Sequence, residues 1–224
     1  EEADRRYSWT PEEPAGSFET LAGDLQRALK ADGDKHLRSV CLKIFKWGGV
    51  AARRDDRSRM WGEKIDGGPL GHRLNGAVGA LLDENDTLER FDGERALMNS
   101  AMTKIYAACR PDQLVIYDGR VGAALGLIAR RFLEESEHPG PVPTELAFAW
   151  GASRTPSVNR NPSTKRYRFP SLFRAQAHER HAWQMRQASR LLRETVKRID
   201  QHGVTLRNLE RALFMIGYDV GHTR

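Results

Sequence analysis

Apolar residues recur at intervals of three and four positions along most of this 224-residue chain. That spacing places them on one face of an α-helix, so each such segment predicts an amphipathic or buried helix. The segments are 17–30, 37–47, 74–82, 97–108, 119–131, 185–199 and 206–216. A single short apolar run, Leu114 to Tyr117, resembles a strand, and no second run offers it a partner for a sheet. The pattern therefore predicts an all-α protein.

Residues with defined roles at helix ends support these boundaries. Ser17 and Thr205 stand directly before helical segments, where a side-chain oxygen accepts a hydrogen bond from a first-turn amide. Gly48-Gly49 ends the second helix and Pro111 ends the fourth. The longest apolar stretch, Val121 to Ala129, is less than half of the ~20 residues that cross a bilayer, which excludes a transmembrane protein.

Charge is distributed unevenly along the chain. The whole sequence carries 36 basic and 30 acidic side chains, a net charge of +6, whereas residues 151–224 alone carry 15 basic and 5 acidic ones, a net charge of +10. Because aromatic residues and asparagines are interleaved with these arginines, the pattern favours a nucleic-acid partner over a merely solvated basic helix. An RNA-binding module is a further alternative, but the chain has no aromatic RRM-type signature.

The most informative stretch is the segment 113–131, in which a carboxylate precedes a long apolar helix. As the N-cap of that helix, Asp118 would accept hydrogen bonds from first-turn amides and lie at the positive end of the helix dipole. Both effects favour the ionised carboxylate. Aspartate is a good N-cap in any helix, so a purely structural role is one interpretation, and a catalytic carboxylate is the other.

Three short motifs carry a resemblance to a known family. They are Tyr117-Asp118-Gly119-Arg120-Val121 with the small and apolar residues up to Arg130-Arg131, the segment Ser100 to Tyr106, and the segment Val40 to Val50. Together they resemble the helix–hairpin–helix DNA glycosylase superfamily, in its bacterial branch related to 8-oxoguanine DNA glycosylases. In such enzymes an aspartate that opens a helix is catalytic, which the resemblance assigns to Asp118.

The resemblance implies a two-lobed helical fold with the active site in the cleft between the lobes. Residues 36–112 would form the lobe that carries a DNA-wedging turn. Residues 1–35 together with 113–224 would form the second lobe, with Asp118 and the basic DNA-binding face. The other residues expected at the wedge or on DNA are Trp47, which is either the wedge or a core tryptophan, and Gly48, Gly49, Arg53 and Arg54.

Two departures from the family pattern bear on the chemistry. Residues 94–99 lack the family's Leu-Pro-Gly-x-Gly hairpin, and Ser100 stands where strand-cleaving members have a lysine. The expected enzyme is therefore monofunctional: it flips a modified base out of DNA and hydrolyses the N-glycosidic bond, which leaves an abasic site. Lys104 lies one helical turn after Ser100 and is expected to reach DNA or solvent.

The loop 159–168 is the best nucleic-acid segment, because its arginines and lysine can contact phosphates and Tyr167 can stack on a base. Its DNA-binding candidates are Arg160, Lys165, Arg166 and Arg168. The candidates for the base pocket are Tyr117, Trp150, Arg154 and Asn159. A polar pocket of this kind suits a sugar-bearing base such as the glucosylated hydroxymethylcytosine of phage DNA, so base-excision repair and antiviral defence are both open.

Metal and cofactor chemistry is not expected. His178 and His181 are three positions apart rather than the four of the zinc-protease helix, and no third ligand is evident near them. Cys41 and Cys109 lie in apolar helical patterns and are expected to be reduced core residues. The chain opens without a basic and apolar leader, so a cytoplasmic protein is expected. The expected partner is duplex DNA with an extruded base, and the expected state is a monomer. The alternative is a non-enzymatic helical DNA-binding protein in which Asp118 is only a helix cap.

Overall fold

The computed structural model describes residues 17–31, 33–50, 57–63, 68–172, 177–199 and 203–221. Within these ranges the chain forms eight α-helices and no strand, so the predicted all-α class is confirmed. The helices are α1 Phe18–Lys30, α2 Asp34–Trp47, α3 Arg57–Glu63, α4 Leu70–Leu82, α5 Met102–Cys109, α6 Gly119–Glu135, α7 His178–Arg198 and α8 Leu206–Ile216, with a 3-10 turn at Thr144–Leu146. None of these helices is both long and apolar enough to span a bilayer.

Most helices lie where the periodicity predicts them, but two departures have clear local causes. α5 begins at Met102 rather than near Leu97, because Asn99 Oδ1 accepts hydrogen bonds from the amides of Ala101 and Met102. α3 is not predicted at all, since residues 57–59 belong to a highly charged run. That helix is nevertheless anchored, because Trp61 is buried and its Nε1 donates to the carbonyl of Glu94 at 3.0 Å.

The described chain divides into two compact units. We call the described part of residues 8–116 and 175–189 the Trp61 unit, and the described part of residues 117–174 and 190–224 the Asp118 unit. The observed boundary at 116/117 lies close to the predicted one at 112/113. The expectation that the active site occupies a cleft between two lobes stays a prediction.

The predicted membership of the N-terminal segment is wrong for its described residues. α1 packs against α2 and α5 and therefore belongs to the Trp61 unit rather than to the lobe of Asp118. The reason is its apolar face, on which Phe18, Leu21 and Leu25 are buried. The first part of α7, up to Ser189, also belongs to the Trp61 unit.

The Trp61 unit has an apolar core that two arginines help to close. Arg73 donates to the carbonyl of Trp61 at 2.8 Å, and its guanidinium carbon lies 4.5 Å from the centre of the Trp61 ring. Arg186 donates to the carbonyls of Ala80 at 2.6 Å and Asp86 at 2.8 Å, which holds the end of α4 and the turn after it. Burial lowers the pKa of both guanidinium groups.

Both cysteines are free thiols in the core of the Trp61 unit, as predicted. Burial raises the pKa of Cys41 to about 12 and raises the pKa of Cys109 further still. A thiol with so high a pKa is mostly protonated near neutral pH, and only the thiolate is a good nucleophile or metal ligand. Both residues are therefore packing elements rather than reactive groups.

The Asp118 unit is built on α6, against which α8 and a long loop pack. α8 is the helix in closest contact with α6. The loop lies along the other parts of α6: Arg130 donates to the carbonyl of Pro162 at 3.1 Å, and a methyl group at Gly126 would overlap the Pro162 ring. Tyr167 is buried and its hydroxyl donates toward the carbonyls of Leu133 and His138, at the end of α6.

Candidate functional site around Asp118

Asp118 is the N-cap of α6, as the sequence predicts. Its backbone is extended, and its Oδ1 accepts hydrogen bonds from the amides of Arg120 at 2.9 Å and Val121 at 3.1 Å. The second carboxylate oxygen, Oδ2, accepts no hydrogen bond from any residue that the structure describes. The side chain is only partly buried. The carboxylate is thus held in a fixed position by one oxygen while the other is available.

The first turn of α6 is fixed by close approaches of backbone to backbone that only glycine allows. A methyl group at Gly119 would lie 2.7 Å from the Cα of Gly151. A methyl group at Gly122 would overlap the carbonyl oxygen of Ala149, and one at Gly217 would overlap the carbonyl oxygen of Arg120. The segment 149–151 and the end of α8 therefore both touch the turn that carries Asp118.

Arg120 lies against two aromatic rings at the end of α8. Its guanidinium carbon is 4.3 Å from the ring centre of Phe214 and 5.0 Å from that of Tyr218. Both distances are within the range of cation–π attraction. The guanidinium donates no hydrogen bond to the described residues. Tyr218 is 47 % exposed and Phe214 is partly buried, so the two rings form an aromatic shelf that is open to solvent at Tyr218, beside the first turn of α6.

Arg160 joins this group from the loop. Its Nε donates to the carbonyl of Tyr218 at 3.4 Å, a long hydrogen bond. Burial lowers the pKa of Arg160, and the positive charge of Arg120 lowers it further, while the charge of Asp118 acts in the opposite direction. The charges of Arg120 and Asp118 thus both act on the Arg160 guanidinium.

Two further predicted pocket residues border the site through structural contacts. Trp150 packs on the buried cluster that includes Ala123 and Val220, and its Nε1 donates to the carbonyl of Phe169 at 3.3 Å. Asn159 accepts the amide of Val220 with its carbonyl at 2.7 Å, which joins the loop to the end of the chain after α8. Arg154 is exposed, and no contact that the structure records brings it to Asp118.

Several predicted roles are corrected by burial. Tyr117 is fully buried and its hydroxyl donates to the carbonyl of Ala149 at 2.9 Å. It therefore holds the segment 149–151 in place and does not line an open base pocket. Burial raises its pKa well above the usual value. Trp47 is 6 % exposed, with its ring centre 5.1 Å from that of Phe18, so it is a core tryptophan and the wedge interpretation is wrong. The buried ring of Tyr167 cannot stack on a base.

The charged residues of the loop separate into two groups. Arg166 donates to the carbonyl of His138 at 2.7 Å and so holds the loop to the end of α6. Lys165 and Arg168 are exposed. The loop is therefore a packed part of the Asp118 unit, and only some of its positive charges face solvent freely.

Two of the remaining wedge candidates, Gly48 and Gly49, lie in the Trp61 unit, as does the DNA-binding candidate Lys104. Lys104 Nζ donates to the carbonyl of Ser100 at 3.0 Å, and a methyl group at Gly48 would overlap the aliphatic carbons of Lys104. Gly49 has φ 65°, a left-handed conformation that favours glycine. The turn and Lys104 thus form one surface feature. Arg53 and Arg54 lie outside the described residues.

Arg120, Phe214 and Tyr218 are site residues that the sequence pattern did not predict. Arg120 stands two positions after Asp118, and the two aromatic residues stand four positions apart at the end of the last helix. Those spacings were signals, but only the packing of α8 against α6 brings the three side chains together.

No group of three or more His, Cys, Asp or Glu side chains suited to a metal ion occurs among the described residues. His178, one of the two histidines considered as ligands, is buried with Nδ1 2.6 Å from the carbonyl of Met98. Comparison of the chain with protein-family models, with curated proteins and with solved structures finds no match.

Proposed function

We propose that the protein is a monofunctional DNA glycosylase that hydrolyses the N-glycosidic bond of a base extruded from duplex DNA. The observation that carries the proposal is that the two oxygens of the Asp118 carboxylate differ in their hydrogen bonding. Oδ1 is held by two amides of α6, while Oδ2 accepts no hydrogen bond from the described residues. A catalytic carboxylate needs this combination of fixed position and an available oxygen.

The chemistry requires little beyond this carboxylate. As the bond between base and sugar breaks, positive charge develops on the deoxyribose, and a nearby carboxylate stabilises it. Asp118 Oδ2 accepts the proton of the attacking water, the water oxygen bonds to C1′, and the base leaves with the electron pair of the broken bond. The products are the free base, once it is protonated, and an abasic site in an intact strand.

The surroundings of Asp118 supply what a flipped nucleotide needs. The aromatic shelf offers the exposed ring of Tyr218, on which a base can stack. Arg120 and Arg160 offer guanidinium donors for the phosphates of that nucleotide. Two positive charges beside one carboxylate favour a phosphate-bearing ligand.

The decisive experiment replaces Asp118 by Asn. An amide oxygen still caps α6, but the negative charge is removed, so we expect base release to fall by about a hundredfold or more with little change in DNA affinity. Abasic sites would be counted after incubation with DNA containing 8-oxoguanine, with glucosylated phage DNA and with unmodified DNA. Asp83→Asn is the matched control, because among the described residues Asp83 Oδ1 accepts only the amide of Asn85, in its own turn.

Each outcome separates repair, defence and the non-enzymatic alternative. Release from the oxidised DNA favours base-excision repair, and release from glucosylated DNA alone favours defence against phage. Equal base release by Asp118→Asn and the wild type would refute the glycosylase proposal. DNA binding without base release from any of these DNAs would support a helical DNA-binding protein in which Asp118 is only a cap.

The absence of strand cleavage is a separate part of the proposal. Ser100 stands at the position of the family's Schiff-base lysine, and the nearby Lys104 Nζ donates to the Ser100 carbonyl. We expect borohydride to trap no covalent protein–DNA adduct. A trapped adduct that disappears in Lys104→Gln would show that the enzyme is bifunctional.

Binding to the DNA backbone is testable through its salt dependence. Replacing both Lys165 and Arg168 by Gln removes exposed charge without touching Arg166, which holds the loop. We expect the slope of log affinity against log salt to flatten by about 0.9 for each phosphate that the variant no longer neutralises. Lys30→Gln with Lys43→Gln, two exposed lysines of the Trp61 unit, is the control pair of equal charge. The control pair is expected to keep the wild-type slope, and an unchanged slope in the Lys165 and Arg168 variant would place the loop away from DNA.

A further inference from the structure

The Trp61 unit contains a cavity whose lining does not include Asp118. It has a volume of about 420 Å³ and is lined by residues of α2, α3, α4 and α5. Its floor consists of apolar core side chains, among them Phe45, Leu74, Met102 and Ile105. A volume and lining of this kind are typical of sites for small, largely apolar ligands.

The walls of the cavity are held by hydrogen bonds that do not depend on a ligand. Trp61, in the α3 wall, is buried beneath the guanidinium of Arg73 and donates from Nε1 to the carbonyl of Glu94. Ser58, in the same wall, is hydrogen-bonded to the side chain of Asn99 at 3.0 Å. α3 is therefore pinned at two positions, so the cavity is preformed rather than a gap beside a loose helix.

One lining residue has a buried hydrogen-bond donor that the described residues do not satisfy. The buried Nε of Arg38 donates to no acceptor among the described residues. Arg38 forms an ion pair with Asp34, but the two groups are 3.7 Å apart, beyond hydrogen-bond distance, and both oxygens of that carboxylate also accept the amide of Leu70, at 3.1 and 2.9 Å. A buried N–H group of this kind is normally paired, so the cavity favours a ligand with an acceptor next to Arg38.

We propose that this cavity binds a small apolar molecule with one anionic group, such as an aromatic or aliphatic carboxylate or sulfonate. The apolar part occupies the floor formed by α2, α4 and α5, and the anionic oxygen accepts a hydrogen bond from Arg38. This site does not use Asp118 and stands whether or not the protein is a glycosylase.

The test compares two fluorescent probes of similar shape on the folded 224-residue chain. One is the sulfonate 1-anilinonaphthalene-8-sulfonate, and the other is the uncharged N-phenyl-1-naphthylamine. Ser39→Trp places an indole at the mouth of the cavity, since Ser39 is an exposed lining residue. Ser157→Trp, at an exposed position of the Asp118 unit, is the matched control. Thermal unfolding midpoints of all variants verify that the fold is kept.

We expect the wild type and Ser157→Trp to bind both probes saturably, and Ser39→Trp to weaken both by about tenfold or more. Arg38→Met removes the charge and keeps most of the side-chain volume, so it is expected to weaken the sulfonate about tenfold and the neutral probe less than twofold. If Arg38→Met lowers the thermal unfolding midpoint, Arg38→Gln takes its place, and the same weakening of each probe is expected. The proposal would be overturned if the wild type bound neither probe saturably, or if Ser39→Trp bound both probes as the wild type does. It would also be overturned if replacing Arg38 weakened both probes equally.

Discussion

The buried arginines of the Trp61 unit and the arginines beside Asp118 make opposite use of the same side chain. Arg73 and Arg186 direct their guanidinium donors at backbone carbonyls, at distances of 2.6 to 2.8 Å. Arg120 instead stacks on two aromatic rings and donates no hydrogen bond to the described residues, and Arg160 makes one long bond. Elsewhere in the Asp118 unit, Arg130 follows the first pattern.

The difference separates arginines that stabilise the fold from arginines that are available to a ligand. A guanidinium that donates to backbone carbonyls satisfies acceptors that a turn or a helix cap would otherwise have to satisfy. A guanidinium that rests on rings keeps its directed donors for a partner such as a phosphate. In the Asp118 unit, close approaches between backbone segments at Gly119, Gly122 and Gly217 hold the backbone instead. The arginines near Asp118 are therefore not needed to hold it.

The largest effect is expected for Arg186→Met. The substitution leaves the carbonyls of Ala80 and Asp86 without their donor in a buried setting, so we expect the free energy of unfolding to fall by about 3–5 kcal/mol. Urea denaturation followed by circular dichroism measures it. Arg190→Met, four positions later at an exposed site, is expected to change stability by less than about 1 kcal/mol. Similar destabilisation by both variants would contradict a structural role specific to Arg186.

A smaller but still clear effect is expected for Gly122→Ala. The added methyl group would overlap the carbonyl oxygen of Ala149, so the segment after the 3-10 turn must move, at a cost of about 1–3 kcal/mol. Gly79→Ala is the matched control: this glycine is in the interior of α4 and nothing lies within 4 Å of the added carbon. There the same substitution is expected to stabilise the protein by about 0.5–1 kcal/mol. A neutral result at Gly122 would mean that the close approach is not needed.

The helices and the cap were predictable because they depend on local signals. The three- and four-residue spacing places the apolar faces of α1, α2 and α6, and Asp118 stands directly before its helix. Trp47 illustrates the limit: it lies on the apolar stripe of α2 and also precedes a glycine pair, and those two signals predict opposite environments. Its ring contacts Phe18 of α1, and this contact between two helices makes Trp47 a core residue.

The aromatic shelf and the roles of the arginines were not predictable, because both depend on contacts between distant parts of the chain. Phe214 and Tyr218 reach Arg120 only once α8 packs on α6. A count of basic residues treats Arg160, Arg166 and Arg168 alike, although their surroundings differ. Net charge predicts that a polyanion can bind, but the neighbours of each guanidinium determine which arginines remain to bind it.

The smallest effect on stability, and the sharpest test of the comparison, is expected for Arg120→Met. Methionine keeps an apolar side chain against Phe214 and Tyr218, and no carbonyl among the described residues is left without a donor, so the free energy of unfolding should fall by less than about 1 kcal/mol. DNA affinity should nevertheless fall about tenfold, with a salt slope flatter by about 0.9, because one phosphate is no longer neutralised. Arg186→Met, measured without urea and at a temperature where it remains folded, should keep the wild-type slope. If Arg120→Met destabilised the protein as much as Arg186→Met does and left the salt slope unchanged, then Arg120 would be a structural arginine, and its stacking on the rings would serve to fasten α8 to α6.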